Sequence, residues 1–150
     1  MKVLMLGPDR RVHGGISGVV NNYSEAGLDR KIELRYIGTM VEGSKAGKLC
    51  QAVKAYWQFL FALPGYDVVH VNVASDSSYY RKAMFIKTAH FFGKKIVIHQ
   101  HGGDFEKFYY QDLSDKGRRG VQKVFGMADA FVVHLKVFNL LSAIVLELTL

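Results

Sequence analysis

The chain is poor in several things that would place it quickly. It has one cysteine, Cys50, in 150 residues, which excludes an internal disulfide framework and suits a reducing compartment. No run approaches the roughly 20 continuous apolar residues of a membrane span. The opening "MKVLML" meets Gly7 and Pro8 too soon for a secretory signal core, so the expectation is a cytoplasmic protein. Carboxylates are also in deficit: 13 Asp and Glu against 20 Lys and Arg leave a net charge of +7. Such a balance favours an anionic partner, whether nucleic acid, a phosphorylated small molecule or a phospholipid surface. A composition 49% hydrophobic with mixed charges excludes disordered and fibrous classes.

Familiar motifs are missing as well. There is no G-K-[ST], hence no P-loop. The G-x-G-x-x-G spacing is absent, and the second strand ends "RYIG" without the acid that would grip a ribose, which argues against a dinucleotide site. The basic cluster "DKGRRGVQK" and the nearby "FEKFYY" suggest nucleic acid as a rival partner. No helix-turn-helix, RRM, KH or zinc signature accompanies them, so the expected partners do not include nucleic acid.

What is present is an alternation of short apolar runs with helical patterns. "KVLMLG" (2–7), "KIELRYIG" (31–38), "DVVHVNVA" (67–74), "KKIVIHQHG" (94–102) and "ADAFVVH" (128–134) read as strands. Helical patterns fall at 16–28, 45–63 and 76–93, with a polar and aromatic helical region from Asp104 to about Met127. Strands alternating with helices predict an α/β fold, a Rossmann-like doubly wound parallel sheet, in one domain over residues 1–134. The stretch 135–150, "LKVFNLLSAIVLELTL", shows little amphipathicity. It reads either as an apolar helix packed on the sheet or as a chain that has left its course by truncation or frameshift.

Three places carry chemistry. Gly14 and Gly15 stand where the first strand hands over to the first helix, with Ile16 opening that helix. There a helix N-terminus offers free N–H groups to a phosphate; a plain structural turn is the alternative. His99 and His101 lie two apart on the fourth strand and point to one side. His99 reads as a core histidine, and His101, next to Gly102 and Gly103, as a hydrogen-bond or proton partner of a substrate hydroxyl. Zinc, with His70 and Asp104 as further ligands, is not enforced by the spacing, and no metal or cofactor is expected. In "KAGKLCQAVKAYWQFLFAL" (45–63), Leu49, Val53, Tyr56, Trp57, Leu60 and Phe61 form a stripe beside Lys45, Lys48 and Lys54. That stripe fits either the core or an interfacial helix on anionic lipid.

In order, "GPDRRVHGGISGVV", "YDVVHVNVASDSSYYRK", "KKIVIHQHGGDF" and "ADAFVV" resemble the N-terminal domain of family 4 glycosyltransferases, retaining enzymes of GT-B fold often found in bacterial capsule or exopolysaccharide assembly. The resemblance spans residues 1 to about 133. It implies that Gly14, Gly15 and Ile16 lie against the diphosphate and sugar of a nucleotide-sugar donor, and that His101 faces the transferred sugar as the catalytic candidate. Ser78, Arg81, Gly102 and Asp104 would meet a glycan or lipid-linked acceptor in the cleft. It also implies catalysis without a metal, since no Asp-x-Asp is present; a lipid-linked acceptor would fit the interfacial reading of the 45–63 helix, on a cytoplasmic protein that touches the inner membrane face. Family members continue into a second, donor-binding domain with an E-x7-E pair. Through Leu150 the only late acid is Glu147. The expectation is therefore a chain that is inactive alone, or a non-catalytic subunit pairing with a separate donor-binding chain.

Overall fold

The computed structural model describes every residue except 26, 28–31, 103 and 134–150. The expected tail at 135–150 with Glu147, the start of the second strand at Lys31, the end of the first helix at Leu28 and the turn residue Gly103 thus lie outside the described residues.

The apolar runs form strands β1 (Lys2–Gly7), β2 (Glu33–Gly38), β3 (Val68–Val73), β4 (Lys95–Gln100) and β5 (Ala130–Val133). They pair in parallel in the order β2-β1-β3-β4-β5. The crossover helices are α1 (Gly15–Glu25), α2 (Lys45–Ala62), α3 (Asp76–Phe91) and α4 (Asp115–Phe125). Strand order reverses at β1: the chain steps one way to β2, then returns past β1 to β3 and onward. Right-handed crossovers then put α1 on one face and α2, α3 and α4 on the other. This is the doubly wound α/β arrangement that the alternation predicts.

Each strand divides its residues between the two faces. Leu4, Leu6, Val69, Val71, Val73, Ile96 and Ile98 join Ala55 and Phe59 of α2 and Phe85 and Ile86 of α3 in one continuous core. Phe59 and Phe85 meet edge to face with centroids 5.1 Å apart, the arrangement aromatic quadrupoles favour. Val3, Met5, His70, Asn72 and His99 occupy the alternate positions, toward α1.

Local chemistry explains the helix ends. Ser44 Oγ accepts from Gly47 N–H at 3.2 Å to start α2, and Gly93, at φ +64°, closes α3 in a conformation costly for other residues. The region 104–127 is not one helix. A single turn, Phe105–Lys107, runs into a wide turn, Phe108–Asp112. Leu113 is then extended (φ −93°, ψ 136°), and Ser114 Oγ caps α4 by accepting from Gly117 N–H. Burial of Phe105, Phe108 and Tyr109 against the core fixes this irregular path. In α2, Tyr56 and Leu60 turn inward with Ala55, Phe59 and Ala62, whereas Leu49, Val53, Trp57 and Phe61 turn outward.

Candidate functional site

The carboxyl ends of β1, β3 and β4 open beside the N-terminus of α1, where the strand order reverses and ligands of such sheets sit. A cleft of about 390 Å³ lies there, walled by Gly15, Ile16, Val19, Ala74, His101 and Gly102. Its size falls in the range of small-molecule sites. The structure thus brings Gly15, Ile16, His101 and Gly102 together; Gly14 adjoins the wall in sequence. Ser78, Arg81 and Asp104 are not part of that wall. Ser78 Oγ accepts from Ala74 N–H at 3.3 Å and so holds the β3–α3 turn. Arg81 is half-buried with its Nε unpartnered, and Asp104 is exposed, with no capping bond from its side chain.

The glycines of this cleft need a reason. Gly14 and Gly15 do not have positive φ, and a Cβ on either would meet nothing within 4 Å. Neither the turn nor the packing demands glycine at these two positions. Gly102, at φ +87°, is different: its backbone conformation favours glycine. At Gly38, by contrast, a Cβ would lie 3.1 Å from Asp9 Cα, so there the packing itself asks for glycine. The first turn of α1 contains no carboxylate, so the partial positive charge of its free N–H groups is not neutralised by its own side chains.

His101 is held from below. Its N–H donates to Val73 O at 2.7 Å, extending the β3–β4 ladder by one residue. Asn72 Nδ2 donates to Leu6 O at 3.0 Å, which turns Asn72 Oδ1 toward His101 Nε2 at 2.8 Å. A neutral His101 therefore carries its proton on Nε2. The His99 ring lies against it, tilted by 31° with centroids 3.9 Å apart, and His70 approaches His99 at 5.7 Å. His70 Nε2 is buried without a hydrogen bond. Burial, with His99 adding to it, pushes His70 down to about 4, so this ring is neutral at physiological pH. Among the described residues no group of three His, Cys, Asp or Glu side chains is arranged to hold a metal.

Two buried polar groups at this edge escaped the sequence reading as site candidates. Lys82 is 2% exposed, and its Nζ donates to Thr39 Oγ1. Thr39 Oγ1 in turn donates to Gly7 O at 2.9 Å. Burial, and secondarily Arg81, holds the Lys82 amine down from its ordinary 10.5 to about 7. The signal was in the sequence: Lys82 falls on the inward stripe of α3 with Tyr79, Ala83, Ile86 and Ala89, three or four residues apart. A larger hollow of about 580 Å³ lies along the edge strand β2, lined in part by Arg10, Arg11, Arg35 and Tyr36. It is an open trough in which Asp9 already holds Arg11 at 2.9 Å.

No protein-family model matches the chain, and no curated protein matches it. A solved structure of a 2-deoxyribosyltransferase from the psychrotolerant bacterium Bacillus psychrosaccharolyticus is similar over 87% of this chain and 85% of that one, at 9% identity and a TM-score of 0.48. A likeness at that level carries no inference about substrate. The resemblance to family 4 glycosyltransferases is not upheld, since neither a family model nor a curated protein of that kind matches the chain. The solved structure that is similar is of a different family, and these comparisons lend no support to a GT-B enzyme, nucleotide-sugar transfer or polysaccharide synthesis, so that assignment is withdrawn. The physical reason is plain in the fold. A glycine turn after β1, polar residues after β3 and a His-Gly pair after β4 are what a parallel sheet sets at its carboxyl edge for many ligands. Among the described residues no helix is long and apolar enough to cross a membrane.

Proposed function

We propose that the carboxyl-edge cleft binds a small molecule bearing both an anionic group, of phosphate type, and hydroxyl groups. The observation that carries this reading is the pair Gly14–Gly15, glycines that neither conformation nor packing requires, at a helix N-terminus with no carboxylate in its own first turn, on a cleft wall. Gly15 and Ile16 N–H groups would take the anion, and His101, fixed by Asn72, would meet a hydroxyl. If the protein is an enzyme, His101 is the residue suited to move a hydroxyl proton during group transfer. Ser78 and Arg81 would act on the site through the β3–α3 turn rather than by touching the ligand.

The test is thermal unfolding and calorimetry with inorganic phosphate, a pentose phosphate, a nucleoside monophosphate and the matching free nucleoside. A phosphorylated molecule at about ten times its Kd should raise Tm by roughly 3–6 °C, with the effect lost in His101→Ala or Gly15→Val. Equal stabilisation by the free nucleoside and its monophosphate would overturn the anion site, and no response to any of the four would overturn the reading.

A further inference from the structure

The strongest feature outside the cleft is the outer surface of α2 and α3. On α2, Leu49, Val53, Trp57 and Phe61 recur every four residues and are 66%, 51%, 56% and 81% exposed. Trp57 and Phe61 stack on one another at 6.1 Å. On the neighbouring α3, Tyr80, Met84 and Phe91 are exposed too, followed by Phe92. The two helices are joined side by side by the bond between Tyr56 Oη and Thr88 Oγ1 at 2.9 Å, so both turn an exposed apolar row away from the same face of the sheet. Scattered exposed hydrophobic residues are ordinary, but a row of four along one helix, two of them stacked, marks a contact.

The charges around the patch select its partner. α2 contains no carboxylate anywhere in its 18 residues and carries Lys45, Lys48 and Lys54. Lys87 stands between Met84 and Phe91 on α3. None of these four lysines forms an ion pair among the described residues. A second copy of this chain would bring the same lysines against them, which like-charge repulsion opposes. A Trp and Phe row flanked by unpaired lysines instead matches a lipid surface: aromatic rings at the headgroup level and ammonium groups toward lipid phosphates. We infer that the α2–α3 face docks the protein peripherally on an anionic membrane surface, through Leu49, Val53, Trp57 and Phe61, with Lys48, Lys54 and Lys87 toward the headgroups. The inference is independent of the cleft, which lies at the carboxyl edge of the sheet, whereas the last turns of α2 and α3, with Phe61, Phe91 and Phe92, lie toward the amino edge.

Trp57 is the sole tryptophan, so its emission reports this face directly. With vesicles of equimolar phosphatidylglycerol and phosphatidylcholine at low salt, the emission should shift to the blue and the protein should sediment with the lipid. Pure phosphatidylcholine should give little of either. Replacing Lys48 and Lys54 by Gln should lower partitioning by roughly fivefold for each lysine, as added salt should in the unaltered protein. Phe61→Ser, at a position whose side chain supports no core, should weaken the blue shift while leaving the far-ultraviolet circular dichroism unchanged. Absence of sedimentation with the anionic vesicles would overturn the inference. So would equal binding to neutral vesicles, or a blue shift that tracks protein concentration without lipid, which would identify a second copy as the occupant.

Discussion

The two faces of one sheet differ in what they are made of. The face under α2, α3 and α4 is dry and aliphatic, with Phe59 and Phe85 interlocked above Leu4, Leu6, Val71 and Ile98. The α1 face carries His70, Asn72 and His99, with Tyr23 Oη of α1 3.5 Å from His99 Nδ1. The strands are the same, so alternation alone sends stability to one side and polar chemistry to the other. Two variants sharpen this contrast. Phe59→Ala should cost about 3–5 kcal/mol in urea unfolding, because it opens a cavity in a close-packed core. Tyr23→Ala, on the half-buried polar side, should cost less than about 2 kcal/mol. Equal losses would break the comparison.

Lys82 is the exception that tests the dry face from within. Its folded value, about 7, lies below the ordinary 10.5 because burial disfavours the charged amine. The unfolded chain therefore takes up the proton first as pH falls. Stability left intact by this group above about pH 10.5 is lost progressively down to about pH 7, on the order of 4 kcal/mol. Lys82→Met removes that dependence. Measured by urea unfolding at pH 7 and at pH 10, the variant should gain on the parent protein at pH 7 by more than at pH 10. A difference independent of pH would show that the amine is not held neutral by burial.

His70 gives the matching experiment on the other face. It is pushed down to about 4 from an ordinary 6.5, first by burial and then by His99. The parent protein should lose up to about 3 kcal/mol between pH 6.5 and pH 4, as the unfolded state binds a proton that the folded ring refuses. His70→Leu should lack that part of the slope, and an unchanged slope in acid unfolding curves would place the titration elsewhere.

The sheet was legible in the sequence because five short apolar runs separated by helical patterns leave few topologies. The contents of its edge were only half legible. His99 and His101 share a side by strand geometry, but the bond that His101 Nε2 donates to Asn72 Oδ1, which sets the tautomer, joins residues 29 positions apart and no local pattern predicts it. In α2 the single stripe read from the sequence mixes Tyr56 and Leu60, which turn inward, with Leu49, Val53, Trp57 and Phe61, which turn outward, because apolar residues stand on both sides of this helix and periodicity cannot choose the inward one. The break at Leu113 is hidden for a related reason, since Phe105, Phe108 and Tyr109 are spaced as in a helix while the chain follows a wider turn. The family resemblance failed because motifs at a carboxyl edge report the fold before they report the ligand.

The smallest expected effect asks the sharpest question of the α1 face. Gly15 is the first residue of α1, has no positive φ, and leaves room for a methyl group. If the glycine serves the fold alone, its replacement by alanine should be harmless in every assay, because the unfolded chain loses freedom and the helix gains a better former. The protein should then be more stable by up to about 1 kcal/mol and otherwise unaltered. If the glycine keeps the backbone open to an anion, Gly15→Ala should still stabilise the free protein while weakening the phosphorylated molecule found by calorimetry, by about tenfold or more. The two measurements move in opposite directions only when a ligand needs the space, so a variant that unfolds later and binds as before would return Gly15 to the ordinary business of a turn.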